Sequence, residues 1–220
     1  MAVERVSELS IPRTLEEACD PRRMALLVYD MQVGIVNQLP NGTEITARVA
    51  EVLRAAREVG FPVFFSRHMS LPKELMGVFQ LRQAMTWQRT DRVEEVEPWF
   101  PRDSPQFQIV PELEPLPNEA VSDKIAMSAF SGTFLDMALR DLGIDSFAIC
   151  GIATEIGIEP TARHGADLGY IPVIVADACG AGDETAARRS LQSLNFTGDS
   201  LITETATISA IFRSRGRQAG

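Results

Sequence analysis

Cysteine, histidine and long apolar runs are what this 220-residue chain has least of. Its three cysteines are an odd number that cannot all pair, and Cys150 and Cys179 both sit in apolar runs. A buried thiol behaves as a small hydrophobe, so no disulfide framework is expected and a reducing compartment is. Two histidines, His68 and His164, do not make the clustered ligand set of a zinc site. No run of apolar residues is long enough for a membrane-spanning helix. The first twenty or so residues carry charges throughout and have no apolar segment of the secretory kind, so a cytoplasmic protein is expected. Cations are short as well: 21 Lys and Arg stand against 30 Asp and Glu, a formal net charge of −9. Such a chain repels a nucleic-acid backbone on average. A small-molecule substrate suits it better. No phosphate-binding glycine loop occurs, and neither cofactor nor metal is expected.

What is present reads as one α/β domain, residues 23–220, behind a polar extension, residues 1–22. Met24-Ala-Leu-Leu-Val-Tyr29 is a continuous apolar run, as in a parallel strand buried on both faces. Ile45, Val49, Val52, Leu53 and Ala56 recur at helical spacing over 43–59, with Asn41 or Thr43 as cap and Gly60 as stop. Phe61-Pro-Val-Phe-Phe65 is the next strand. Strands are also expected at 119–123, 146–150, 171–176 and 201–203, and helices at 134–142, 155–168, 183–195 and 204–213. This alternation predicts a mostly parallel sheet with helices on both faces. Residues 68–118 contain seven prolines and both tryptophans. They predict loops and an amphipathic helix near 74–85, shaping a pocket.

In open α/β sheets ligands bind beyond the carboxyl ends of the strands. Asp30, Arg67 with His68, Lys124, the stretch Gly151 to Glu155, and Asp177 each follow an expected strand, on one edge of the sheet. Asp177 and Gly151 are also ordinary turn residues. His68 taken alone reads more readily as a hydrogen-bonding residue of the framework than as a ligand or base. Asp30 differs, because the apolar residues on either side predict a buried carboxylate, which needs a partner. Lys124 is the natural one.

Four blocks, in order, carry a resemblance. They are Leu27-Val-Tyr-Asp30-Met-Gln32, Lys124-Ile-Ala-Met-Ser128-Ala-Phe130-Ser-Gly132-Thr133, Gly151-Ile-Ala-Thr154-Glu155-Ile-Gly157-Ile-Glu-Pro-Thr161, and Val175-Ala-Asp177-Ala178. Together they resemble the isochorismatase-like hydrolases. The resemblance implies a three-layer α/β/α, Rossmann-like fold with a six-stranded sheet, and a homodimer or homotetramer. Most members use an Asp–Lys–Cys triad on amides. Here Asp30 and Lys124 match the first two, while Gly157 stands at the position of the nucleophilic cysteine. The positions it implies around the substrate are Gln32, His68, Phe130, Ile152, Ala153, Thr154 and Glu155, with a cis bond between Ile152 and Ala153. Glu155 reads equally as a charge stabilising the first turn of its helix. Isochorismatases proper also have glycine at the cysteine position and protonate a vinyl ether, holding a dicarboxylate with a Gln and an Arg. Here His68 is at the Gln position and Met76-Gly77 near the Arg position, leaving Arg67, Arg82 and Arg89 as candidate cations.

Three functions stay open on the residues. One is a hydrolase that uses Asp30 as acid or base, without a thiol, at a vinyl ether or a related C–O or C–N bond. Another is a non-catalytic binding or assembly protein that has lost the nucleophile. The third is an amidase that uses a displaced cysteine, Cys150 or Cys179.

Overall fold

The computed structural model describes residues 4–6 and 9–216. In chain order its elements are β1 (Glu4–Val6), β2 (Leu9–Ile11), α1 (Leu15–Ala18), β3 (Met24–Tyr29), α2 (Val33–Val36), α3 (Gly42–Val59), β4 (Val63–His68), α4 (Val78–Gln88), β5 (Ala120–Lys124), α5 (Leu135–Asp141), β6 (Ser146–Ile152), α6 (Glu159–Asp167), β7 (Ile171–Gly180), α7 (Glu184–Thr197), β8 (Leu201–Thr203) and α8 (Thr205–Gly216). Strands β3 to β8 form one six-stranded sheet in the order β5-β4-β3-β6-β7-β8. Every pairing in it is parallel, so the expected mostly parallel sheet is wholly so.

Alternation along the buried strands divides the core in two. Leu26 and Val28 of β3 join Val49, Val52 and Leu53 of α3 and Ile208 and Phe212 of α8. Ala25, Leu27 and Tyr29 face the opposite way, toward Leu135 and Leu139 of α5, Ala162 of α6 and Leu194 of α7. All six residues of β3 are buried, which is why its sequence shows no polar alternation. Full burial of a side chain of this size contributes about 1.5–3 kcal/mol. The helix period and the strand period in the sequence thus report the same three layers.

The chain leaves β3 toward β5 on one side, then crosses back to lay β6 against the other side of β3. The strand order therefore reverses between β3 and β6, and a crevice opens at their carboxyl ends. Gly151 lies at this junction. It continues β6 rather than starting a turn, opposite Tyr29 in the register. Its φ is +135°, and a Cβ there would lie 1.9 Å from the Tyr29 carbonyl oxygen. Only glycine allows that approach.

Two segments differ from expectation. The extension over 1–22 is not wholly outside the fold, because Ala18 and Cys19 are buried in the core under α3. Ser146 Oγ donates to the Ala18 carbonyl at 3.1 Å, and Arg215 Nε to that of Cys19 at 3.0 Å. The remainder of that expectation, at residues 1–3 and 7–8, lies outside the described residues, as do residues 217–220. The helix expected near 74–85 forms as α4, yet none of its residues is buried. It does not enter the core, and its Trp87 lines the crevice instead. The loop after it is tied to the chain beyond β3: Val33 N donates to Gln108 O at 2.8 Å and Val110 N to Met31 O at 3.0 Å.

Candidate active site

Asp30 follows directly after β3, on the crevice. It takes φ +47°, a left-handed conformation that aspartate tolerates better than most residues. Its backbone N–H donates to the Ser66 carbonyl at 3.1 Å. Its carboxylate is held from two sides, by Lys124 Nζ donating to Oδ2 at 2.6 Å and Ser66 Oγ donating to Oδ1 at 2.6 Å. The Lys124 side chain is 0% exposed and that of Asp30 5%. Lys124 Nζ also donates to the Ala126 carbonyl at 3.2 Å and lies 4.4 Å from the centre of the Tyr29 ring. Burial lowers the Lys124 pKa, while the Asp30 carboxylate works to raise it. A buried pair like this adds little net stability, but removing one partner is costly.

Above the pair lies a cleft of about 430 Å³. Asp30, His68, Ile152 and Ala153 all line it, and Lys124 lies beneath Asp30. The Ile152–Ala153 bond is cis, as the resemblance implies. Trp87, Trp99 and Phe100 form one wall, with the two indoles stacked at 6.1 Å. Phe79, another candidate for that wall, is 64% exposed and takes no part. Burial and then the Lys124 charge push His68 down to about 4, so at neutral pH it is an uncharged wall. Arg89 lines the cleft too. Arg67 does not, since its guanidinium pairs with Asp123 at 2.8 Å and covers the Phe107 ring.

Several residues expected around the substrate do not line the cleft. Gln32 is fully buried and its amide is used on the framework. Nε2 donates to the carbonyls of His68 and Phe107, each at 3.0 Å, while Oε1 accepts from His68 N at 2.6 Å. Phe130 is buried on the far side of the sheet, stacked on Tyr170 at 5.5 Å. Thr154 is buried with its hydroxyl donating to the Gly180 carbonyl at 3.0 Å. Glu155 Oε1 accepts from Asp183 N at 2.8 Å, which fixes this carboxylate to the loop before α7. Each of these four side chains has a framework contact that the local sequence does not reveal, while Glu155 Oε2 is buried without a hydrogen-bond partner among the described residues. Asp177 is structural, its Oδ1 capping α8 through Thr205 N at 2.7 Å and Thr205 Oγ1 at 2.9 Å.

Gly157 lies in a π-helical turn, Thr154–Ile158, that leads into α6. Tyr29 reaches up against it, and a Cβ on Gly157 would lie 2.0 Å from the Tyr29 hydroxyl oxygen. The hydroxyl donates to the Met127 carbonyl. Burial first, then the Asp30 carboxylate, hold the phenol well above its ordinary value, so it is a neutral O–H. Tyr29 and Ser66 are the two site residues that sequence reasoning missed. Tyr29 reads there as the end of an apolar run, and Ser66 as a small residue after a strand.

No thiol reaches the cleft. Cys150 is fully buried, and burial, helped by Asp177, pushes it up to about 12. Cys179 is half-buried with its thiol toward the Ile149 carbonyl at 3.9 Å, and burial raises it well above the ordinary range. Cys19 is buried far from the crevice and is likewise pushed up to about 12, chiefly by burial.

Comparison with known proteins gives a consistent result. The family model described as "Isochorismatase domain" matches residues 24–206. An uncharacterized isochorismatase family protein of Bacillus subtilis is 31% identical over 159 residues, covering 72% of this chain and 78% of that one. A ureidoacrylate amidohydrolase of Pseudomonas syringae pv. syringae is 28% identical, with 84% of each chain covered. The solved structure of an isochorismatase family protein from Burkholderia thailandensis superposes with a TM-score of 0.71 at 30% identity, over 88% of this chain and 96% of that one. With the parallel sheet and the matched span taken together, the chain belongs to the isochorismatase family.

Proposed function

We propose that this hydrolase cleaves a small organic metabolite by proton transfer through Asp30, with water in place of a cysteine thiolate as nucleophile. The bond cleaved is a vinyl ether or a related C–O or C–N bond. The supporting observation is the Asp30–Lys124 pair, 2.6 Å apart, at the floor of a cleft whose lining contains no cysteine. By resemblance, Gly157 stands where related hydrolases carry the attacking thiol, and glycine has no side chain with which to form a covalent intermediate.

On a vinyl ether, the Asp30 carboxylate first takes up a proton from solvent, and the carboxyl so formed gives it to the methylene carbon. Water adds to the cation so formed, and the proton it sheds returns to solvent. The hemiketal then releases the alcohol. On a C–N bond, the carboxylate takes a proton from water as the water oxygen adds to the carbonyl carbon. It then passes that proton to the departing nitrogen. Asp30 ends each cycle as it began, and Lys124 counters the negative charge beside it. Arg89 suits an anionic group on the substrate, because it lines the cleft and its guanidinium makes no hydrogen bond or ion pair among the described residues. Because a ureidoacrylate amidohydrolase is among the relatives, ureido acids join vinyl ethers in the panel to be tested. Assembly as a homodimer or homotetramer of one 23–220 domain belongs to the same proposal, and light scattering reads it directly.

The test is a panel of vinyl ethers, ureido acids and amides, followed by two variants on the best substrate. Asp30→Asn is expected to lower kcat/KM by about 10²–10⁴-fold. A variant with Cys19, Cys150 and Cys179 all changed to alanine is expected to keep its activity. Full activity in Asp30→Asn, or none in the folded cysteine-free variant, would overturn the proposal.

A further inference from the structure

The floor of the cleft includes a group that the proposed mechanism does not use. Tyr29 lines the cleft and is only 2% exposed, and its ring occupies the space above Gly157. A Cβ on Gly157 would lie 2.0 Å from the Tyr29 Oη and 2.4 Å from both Cε1 and Cζ. Real Cβ atoms essentially never approach a neighbour closer than 3.0 Å, so even a methyl group at 157 requires the ring to move.

The ring is fastened at each end. Its hydroxyl donates to the Met127 carbonyl, and Lys124 Nζ lies 4.4 Å from its centre. Its main chain is pinned in the sheet between Ser66 and Gly151 in the strand register.

We propose that Tyr29 determines which nucleophile this site admits: its ring and any side chain at 157 are mutually exclusive occupants of one volume beside Asp30. This inference rests on the water-using mechanism proposed above and deepens it. With the ring in place, nothing from the start of α6 can attack a bound carbonyl. Substrates are then restricted to those that open by proton transfer at Asp30 and addition of water. Tyr29 acts here as a specificity determinant. Introducing a cysteine at 157 alone does not rebuild a thiol hydrolase, because the space for its sulfur is already filled.

The test is a set of paired variants. Gly157→Ala is expected to lower Tm by about 5–10 °C through overpacking. Tyr29→Val alone leaves a cavity and also lowers Tm. The double variant Tyr29→Val/Gly157→Ala should melt well above the sum of the two losses, because each change makes room for or fills the other. Tyr29→Phe/Gly157→Ala should show no such rescue, since Cε1 and Cζ still collide. In a second arm, Gly157→Cys and Tyr29→Val/Gly157→Cys are treated with iodoacetamide and followed by intact mass. The new thiol is expected to react about tenfold faster in the double variant, where it faces the cleft beside Lys124. Gly157→Ala melting with the wild type, or strict additivity of the two losses, would overturn the proposal. So would equal alkylation of the two cysteine variants. If the cysteine variants do not fold, the alanine set decides. Loss of activity in the cysteine-free variant would sink the water-using mechanism while leaving the Tm coupling intact, so the two failures are distinguishable.

Discussion

Lys124→Met should uncouple what the buried pair does for stability from what it does for activity. The substitution keeps the length and apolar stem of the side chain but removes the ammonium. Asp30, 5% exposed, loses its cation and keeps the Ser66 hydroxyl at 2.6 Å. Leaving a buried carboxylate without its cation costs about 3–5 kcal/mol. For a chain of this length each kcal/mol lowers Tm by about 2–4 °C, so a loss of about 6–20 °C is expected. Asp30→Asn leaves Lys124 uncompensated in the same way and should also destabilise. Asp30→Asn/Lys124→Met removes both charges and should return to within about 2 kcal/mol of the wild type. Calorimetry or urea titration of all four proteins closes a double-mutant cycle and gives the coupling directly. Hydrolysis should be lost in every variant, including the restabilised double. If Lys124→Met melts within about 2 °C of the wild type, or the double is no more stable than either single, then Asp30 and Lys124 are not the coupled buried charges described above.

The remaining predictions concern the rest of the site. His68 titrates in the folded protein at about 4, against an ordinary value of 6.5. The unfolded chain therefore takes the proton first: the His68 contribution is full above about pH 6.5 and declines as pH falls toward 4, with an upper bound of about 3 kcal/mol. His68→Gln should flatten that slope in a series of urea melts, and an unchanged slope would refute the assignment. Arg89→Gln should raise KM for an anionic substrate about tenfold with kcat little altered, the signature of lost uniform binding; equal KM values would remove Arg89 from recognition. Ser66→Ala deletes a buried hydrogen bond to the carboxylate and should cost about 1–3 kcal/mol in denaturant. The native thiols, raised by burial, should resist iodoacetamide until guanidinium unfolds the chain, and rapid labelling of Cys179 with loss of activity would point back to a thiol mechanism.

The order of the layers was legible because burial leaves a period in the chain. Met24–Tyr29 reads as a strand buried on both faces, and Ile45 to Ala56 as a helix buried on one. Asp30 and Lys124 were legible for a related reason: each is a charged residue at the end of a strand, on the edge where the sheet opens. What the sequence hid was the direction of side chains. Gln32 follows the same strand as Asp30 but turns its amide onto the backbone of His68 and Phe107. Phe130 belongs to a conspicuous block yet packs on Tyr170. Tyr29 looked like one more apolar residue, because nothing local reveals that its hydroxyl ends against Gly157. That contact joins positions 128 residues apart and depends on the crossing from β3 to β6. Helix α4 was expected to bury one face, but amphipathicity cannot distinguish covering a core from covering a cleft.

Helix α4 buries none of its residues, yet its carboxyl-terminal end supplies Trp87 and Arg89 to the cleft. The buried Asp30–Lys124 pair is anchored at the carboxyl ends of β3 and β5 in the sheet. The proposed recognition surface rides on a segment that contributes no buried residue to the core. Changes across residues 78–89 are therefore expected to alter the substrate range of the proposed site more than the stability of the fold, and a library confined to them, read for both activity and Tm, tests this.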